Sequence, residues 1–130
     1  MNLVQKSFSA LVLSGVTATA FAVPEYLTTH NNTNLESNAY VAGTIPSPYP
    51  TPAQSSRQVY WNMVRLACFG HTTDGKCAAL IKLGTNTDTP IDLGYLSMEL
   101  ATGDITPKHL SNNGYTLTVN GLGETTISKD

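Results

Sequence analysis

Two cysteines, Cys68 and Cys77, are the only ones in the chain, and residues 69–76 separate them. The intervening residues are mostly glycine, threonine and aspartate, which are common in tight turns. Apolar runs of strand length precede Cys68 and follow Cys77. The spacing therefore predicts that residues 57–83 form a β-hairpin whose two strands are joined by a disulfide. Closing so short a loop stabilises a folded chain by roughly 2 to 3 kcal/mol.

The predicted hairpin has one face that is entirely apolar. If Cys68 lies opposite Cys77, the alternation of side chains along a strand defines the expected core face as Val64, Leu66, Cys68, Cys77, Ala79, Ile81 and Leu83. The opposite face carries Trp61 and Phe69, so Trp61 is the best candidate among the aromatic residues for an exposed binding surface, although core packing explains these residues equally well. A helix is the alternative for the first run, because Val59, Met63 and Leu66 lie at helical spacing.

The first 22 residues have the features of a secretory signal peptide. Lys6 supplies a positive charge, residues 8–18 are apolar, and Ala20-Phe21-Ala22 gives a small-x-small cleavage pattern before Val23. No other segment approaches the ~20 apolar residues that a membrane-spanning helix needs. We therefore expect an exported protein, periplasmic or extracellular, with no membrane span after cleavage.

Two segments between the signal peptide and the hairpin are predicted to lie outside the folded domain. Residues 23–42 are polar, which favours a flexible arm. Residues 43–56 contain a proline at every second position from Pro46 to Pro52, which favours an extended linker that enters no sheet. The folded β domain is then expected to span residues 57–130.

The rest of the chain reads as further short strands. Residues 91–100 are strand-like, with a change of phase near Gly94 and Tyr95 that predicts a β-bulge or two abutting strands. Residues 114–127 alternate around Asn120-Gly121 and predict a second hairpin. The expected fold is all-β: a small antiparallel β-sandwich or open barrel of five to seven short strands with one disulfide.

Composition excludes some classes of partner. The net charge is −2 and no basic cluster occurs, so we expect no nucleic acid partner. The chain has no phosphate-binding glycine loop and no zinc-protease motif, and the spacing of its carboxylates matches no calcium loop. We therefore expect no cofactor and no metal.

His71 and Asp74, inside the loop between the cysteines, are the other candidate site residues beside Trp61. A rigid loop would present the imidazole and the carboxylate together, although the same residue types also suit a turn. His30 and His109 lie in polar segments, and no motif places a serine or threonine nucleophile beside either of them. The sequence therefore names no catalytic residue.

These observations favour an exported, non-enzymatic binding or interaction module, with a protein or a carbohydrate as its ligand. The layout resembles that of small exported proteins of Gram-negative bacteria. Two alternatives stay open: a small secreted hydrolase that uses His71 with a nearby carboxylate, and a structural component of the cell envelope. The sequence leaves the oligomeric state undetermined.

Overall fold

The computed structural model describes residues 23–130, which form two β-sheets and one short helix. Within these residues no helix is long and apolar enough to cross a membrane. The elements are β1 (Tyr26–Asn31), β2 (Ser37–Val41), β3 (Ile45–Pro46), β4 (Ser55–Tyr60), α1 (Trp61–Cys68), β5 (Thr72–Thr73), β6 (Lys76–Leu83), β7 (Ile91–Glu99), β8 (Ile105–Thr106), β9 (His109–Asn112), β10 (Tyr115–Gly121) and β11 (Glu124–Lys129).

The five-stranded sheet has the order β4-β1-β11-β10-β9. Its strands pair antiparallel except for β1 and β11, which are parallel, with Thr28 opposite Glu124. The expectation of a purely antiparallel domain is therefore wrong at this one pair. The pair brings the first and last strands of the described chain together at the centre of the sheet.

The six-stranded sheet has the order β3-β2-β6-β7-β8, with β5 paired to the start of β6. The predicted all-β class with one disulfide is confirmed, in the form of a small β-sandwich. The described residues contain eleven strands instead of five to seven, and three of these, β3, β5 and β8, have only two residues each.

The core lies between the two sheets and follows from side-chain alternation. In β11, for example, Thr125 and Ile127 are buried while Thr126 between them is half-exposed. The most deeply buried apolar residues come from both sheets, and burying each of them contributes about 1.5 to 3 kcal/mol. They are Leu83, Leu93, Ile105, Leu117 and Ile127.

The first strand of the predicted disulfide hairpin is wrong, because residues 61–68 form the helix α1. Its buried side chains are Trp61, Val64 and Cys68, which are spaced at three and four residues and so share one helical face. Leu66, placed in the core by the strand interpretation, is instead 66% exposed. A run of β-branched and aromatic residues fits a strand or a buried helix equally well, and here tertiary packing decided for the helix.

The predicted disulfide between Cys68 and Cys77 is present, with Cα atoms 6.0 Å apart. It joins the last residue of α1 to β6 and so ties the helix to the six-stranded sheet. The hairpin itself survives only as β5 and the start of β6, with Asp74 and Gly75 at positive φ angles in the turn. Farther along, β6 pairs with β2 on one edge and with β7 on the other, so the predicted strand of residues 59–69 finds no edge of β6 to join. Its first two residues, Val59 and Tyr60, belong to β4 and pair with β1 instead.

The predicted flexible arm, residues 23–42, is also wrong. It contributes β1, flanked by β4 and β11, and β2, which pairs with β6. The arm folds although it is polar, because its buried polar groups are hydrogen-bonded to each other and to the backbone. Asn31 and Thr33 are the clearest cases, with exposures of 0% and 2%.

The predicted linker, residues 43–56, packs on the domain instead of spacing it. Its start forms β3, in which Ile45 and Pro46 pair with Val41 and Tyr40. Thr51 is buried and exchanges two backbone hydrogen bonds with Ser37, of 2.8 and 2.9 Å. The β domain therefore begins near residue 26 instead of residue 57, and the predicted signal peptide, residues 1–22, lies outside the described residues.

The later strand predictions agree with the structure in outline. The pairing of β6 with β7 shifts register between Ile81 and Lys82, which places a bulge in β7 next to Gly94. The C-terminal hairpin is formed by β10 and β11, but its loop lies two residues beyond Asn120-Gly121, at Leu122 and Gly123.

Candidate functional site

A cavity of about 130 Å³ lies between the two sheets. Its deep end is lined by buried apolar side chains of both sheets, including Ile81, Leu96, Leu117 and Ile127. We call this space the inter-sheet cavity. Its walls are predominantly apolar, which is typical of sites for small organic ligands.

Small side chains at three positions leave this space open. Ala39 of β2, Ala67 of α1 and Ala79 of β6 all line the inter-sheet cavity. Ala39 pairs with Ile81 across the strands, and Ala79 pairs with Val41, so small and large residues face each other in adjacent pairs. A longer side chain at any of the three alanines would extend into the cavity.

The opening of the cavity is marked by lining residues that also reach solvent. Met63 of α1 is exposed, and Ser47, Tyr49 and Arg57 are half-exposed. The mouth therefore lies between α1, the proline-rich segment and β4. This entrance is formed by two segments that were predicted wrongly from the sequence. They are α1, predicted as a strand, and residues 43–56, predicted as a linker.

Of the residues that the structure describes, Arg57 is the only charged one that lines the inter-sheet cavity. Its Nη1 donates to the carbonyl oxygen of Pro50 at 2.9 Å, and its guanidinium carbon lies 5.8 Å from the centre of the Tyr49 ring. Among residues 23–130, no carboxylate lies within 4.0 Å of the Arg57 guanidinium. The side chain is held in place by neutral partners and keeps its charge uncompensated.

Hydrogen bonds fix the proline-rich segment that forms one side of the mouth. The buried Asn31 side chain donates to the carbonyl oxygens of Thr51 and Pro52, and the Asn38 side chain donates to that of Ser47 at 2.8 Å. Prolines cannot supply ladder N–H groups, so side-chain amides take over the task of attaching this segment.

Trp61, the candidate for an exposed binding residue, is only 4% exposed, so of the two interpretations core packing is the correct one. Trp61 is the first residue of α1, and its Nε1 donates to the carbonyl oxygen of Leu100 at 3.1 Å. The exposed apolar residues of this region are instead Tyr60, Leu66 and Phe69, with Phe69 81% exposed. Because residues 61–68 form a helix and not a strand, Trp61 is buried while Leu66 is exposed.

His71 and Asp74 are exposed and border one open depression on the surface. The structure brings these two residues together, with Thr73, Lys76, Ala78 and Ser97, but it places Trp61 elsewhere. No group of three or more His, Cys, Asp or Glu side chains in the described part of the chain is arranged to hold a metal ion.

The five-stranded sheet carries a row of three hydrogen-bonded side chains that the sequence did not predict. His30 Nδ1 lies 2.7 Å from the Ser56 hydroxyl, and His30 Nε2 lies 2.7 Å from a Glu124 carboxylate oxygen. His30 and Ser56 are cross-strand partners of β1 and β4. Residues so distant in sequence meet only through strand register, so no local motif could have revealed them.

The fold and the inter-sheet cavity together define a small, disulfide-bonded β-sandwich with an apolar interior site. The model of the family described as T2SS substrate NttC matches residues 1–130, so the chain belongs to this family. Membership confirms the predicted export to the periplasm or the cell exterior.

A solved structure agrees with this assignment. The crystal structure of the Legionella pneumophila type II secretion system substrate NttC is 66% identical in sequence and gives a TM-score of 0.82. The match covers 83% of this chain and 100% of that chain. No match was found among the curated proteins.

Proposed function

We propose that the protein is a non-enzymatic binding protein that is released through a type II secretion system and holds a small apolar molecule between its two sheets. The inter-sheet cavity is the observation that carries the proposal. Family membership and the resemblance to NttC support the secretion route. The disulfide is consistent with it, because such bonds persist in oxidising compartments outside the cytoplasm.

The size of the cavity sets the size of the ligand. Drug-sized ligands occupy roughly 300 to 1,000 Å³, whereas the inter-sheet cavity measures about 130 Å³. A dry apolar cavity of ~150 Å³ accepts benzene. The buried part of the ligand is therefore a single apolar group of about six carbon atoms.

The experiment that tests the proposal fills the cavity from one wall. Ala79→Leu extends a lining side chain, and Ala78→Leu adds the same carbons at the exposed neighbouring position of β6. Binding of benzene and of 1-hexanol, measured by ligand-observed NMR, is expected for the native protein and for Ala78→Leu, and is expected to be lost in Ala79→Leu.

Two results would contradict the proposal. One is the absence of binding to the native protein. The other is unchanged binding to an Ala79→Leu protein whose fold is verified by circular dichroism. If Ala79→Leu does not fold, Ala39→Leu fills the same cavity from β2 and serves as the second variant.

The row formed by Ser56, His30 and Glu124 favours a second candidate function, that of a secreted hydrolase. Its catalytic histidine would be His30 and not His71. In this arrangement His30 Nδ1 would take the proton of the Ser56 hydroxyl as it attacks an ester, while Glu124 would hold the other ring nitrogen. The row lies on a half-exposed sheet face, with side-chain exposures of 35% for His30 and 45% for Glu124. Such exposure gives little of the water exclusion that strengthens catalytic electrostatics, so binding remains the favoured function.

Ester hydrolysis separates the two candidates. The hydrolase predicts turnover of p-nitrophenyl esters that disappears in Ser56→Ala and persists in Ser55→Ala, the adjacent serine. The binding protein predicts no turnover above the buffer rate in any of the three proteins.

A further inference from the structure

We infer that the ligand of the inter-sheet cavity is an anion, in which one apolar group of about six carbon atoms carries a carboxylate or phosphate head that pairs with Arg57. This inference rests on the proposed function and adds the chemical class of the ligand. The apolar group would fill the deep end of the cavity, and the head would remain at the mouth.

The guanidinium of Arg57 has further hydrogen-bond donors that can bind such a head group. A guanidinium carries five N–H donors in a planar fork that matches a carboxylate or a phosphate. Its contact with the Pro50 carbonyl oxygen occupies Nη1, and the Tyr49 ring restrains its position. A side chain that is already restrained loses less rotamer freedom when it binds an anion.

The surroundings of Arg57 make an anion the best complement. The guanidinium is half-buried beside an apolar cavity, and no carboxylate of residues 23–130 lies within 4.0 Å of it. A partly desolvated charge without a counter-ion is unfavourable, and charge attraction near apolar walls is stronger than in water. The net charge of the chain is −2, so any preference for anions has to come from this local site and not from the protein as a whole.

Arg65 is a matched control for Arg57. Arg65, on the exposed surface of α1, also donates to a backbone carbonyl oxygen, that of Leu100 at 3.2 Å. It does not line the inter-sheet cavity. Replacing either arginine removes one positive charge and one such hydrogen bond, but only Arg57 borders the proposed site.

The test uses isothermal titration calorimetry to compare four probes that separate the apolar chain from the negative charge. Hexanoate has the chain and the charge, 1-hexanol and methyl hexanoate have the chain alone, and acetate has the charge alone. The native protein is expected to bind hexanoate at least about tenfold more tightly than 1-hexanol, since hydrogen bonds to charged groups are the stronger ones. Acetate is expected to bind too weakly to detect.

Variants then assign the effect to one residue. Arg57→Gln is expected to weaken hexanoate binding by about tenfold more than it weakens 1-hexanol binding, while Arg65→Gln, outside the cavity lining, changes neither. Hexyl phosphate, run beside hexanoate, determines which of the two heads fits better. Should Arg57→Gln fail to fold, the comparison of hexanoate with methyl hexanoate on the native protein decides the question without a variant.

The outcomes separate this inference from the proposed function. If 1-hexanol binds in the cavity but hexanoate binds no better, or if Arg57→Gln weakens both probes equally, the anionic ligand is refuted and the apolar site remains. If no probe binds the native protein, the proposed function fails and this inference fails with it.

Discussion

Asn31 connects β1 to the proline-rich segment, and we predict that replacing it by alanine destabilises the protein strongly. The side chain is fully buried. Its Nδ2 donates to the carbonyl oxygens of Leu35, Thr51 and Pro52 at 2.7, 3.2 and 3.2 Å. Its Oδ1 accepts from the Thr33 N–H at 3.0 Å and from the Thr33 hydroxyl at 2.8 Å.

The expected loss of stability in Asn31→Ala depends on which buried groups keep a hydrogen-bond partner. The Leu35 carbonyl still accepts from the Thr33 hydroxyl, and the Thr51 carbonyl still accepts from the Ser37 N–H. The buried Thr33 N–H loses the acceptor described above. Two donor hydrogens and two acceptor sites on Asn31, at about 1 kcal/mol net each, give a loss of about 4 kcal/mol. With a slope of about 2 kcal/mol per molar urea, the unfolding midpoint would fall by about 2 M.

Trp61 provides the signal for this measurement, because it is the single tryptophan and is buried in the folded protein. Urea unfolding followed by its fluorescence would compare Asn31→Ala with Asn32→Ala, whose side chain is exposed. Asn31→Asp is expected to be at least as damaging as alanine, since it directs a carboxylate at carbonyl oxygens. Equal midpoints for Asn31→Ala and Asn32→Ala would refute the assignment of stability to this network.

Three further predictions concern stability and use the same unfolding assay. Reducing the disulfide should lower the free energy of unfolding by about 2 to 3 kcal/mol, and an effect of reductant on a double cysteine-to-alanine variant would contradict this. Gly103→Ala should cost about 1 to 3 kcal/mol more than Gly114→Ala, because both have φ +85° but an added Cβ meets the Pro24 ring at 2.6 Å only at Gly103. Val64→Ala should cost about 2 kcal/mol and Leu66→Ala less than about 0.5 kcal/mol; the reverse order would argue for a strand in place of α1.

Local pattern was sufficient for the strands whose partners are near in sequence. The run that became β6 and the hairpin of β10 and β11 were recognisable because alternation and turn residues lie within a few positions of each other. The loop of that hairpin shifted by two residues because Gly123, at φ +61°, takes the left-handed position. Asn120 lies instead where the β10–β11 pairing shifts register, between Val119 and Gly121.

The two larger errors, at residues 23–42 and 59–69, share one physical cause. A strand needs the edge of another strand to pair with. The predicted hairpin paired residues 59–69 with an edge of β6 that β2 occupies in the structure. The segment that contains β2 is too polar to be recognised as part of a core, since Asn31 and Thr33 are buried through hydrogen bonds and not through hydrophobicity. Because β2 holds that edge, residues 61–68 form the helix α1 instead of a strand.

The candidate site was beyond sequence analysis for the same reason: the inter-sheet cavity exists only where separate elements meet. Nothing in the sequence marks Ala39, Ala67 or Ala79 as residues of a cavity, and Arg57 marks only the start of the predicted folded domain. Only the register of β2 against β6, and the placement of α1 by the disulfide, bring these four residues around one space.

An unfilled cavity also carries a cost that bears on the proposed function. The side chains that line the space have no packing partner on the side that faces it, so they lack dispersion contacts that a filled core would supply. One longer side chain in place of Ala39, Ala67 or Ala79 would restore some of these contacts. A ligand that binds only the folded state stabilises that state by an amount that grows with the logarithm of the ratio of its concentration to its dissociation constant. The open space is therefore costly to the free protein and useful to a protein that binds a small apolar group.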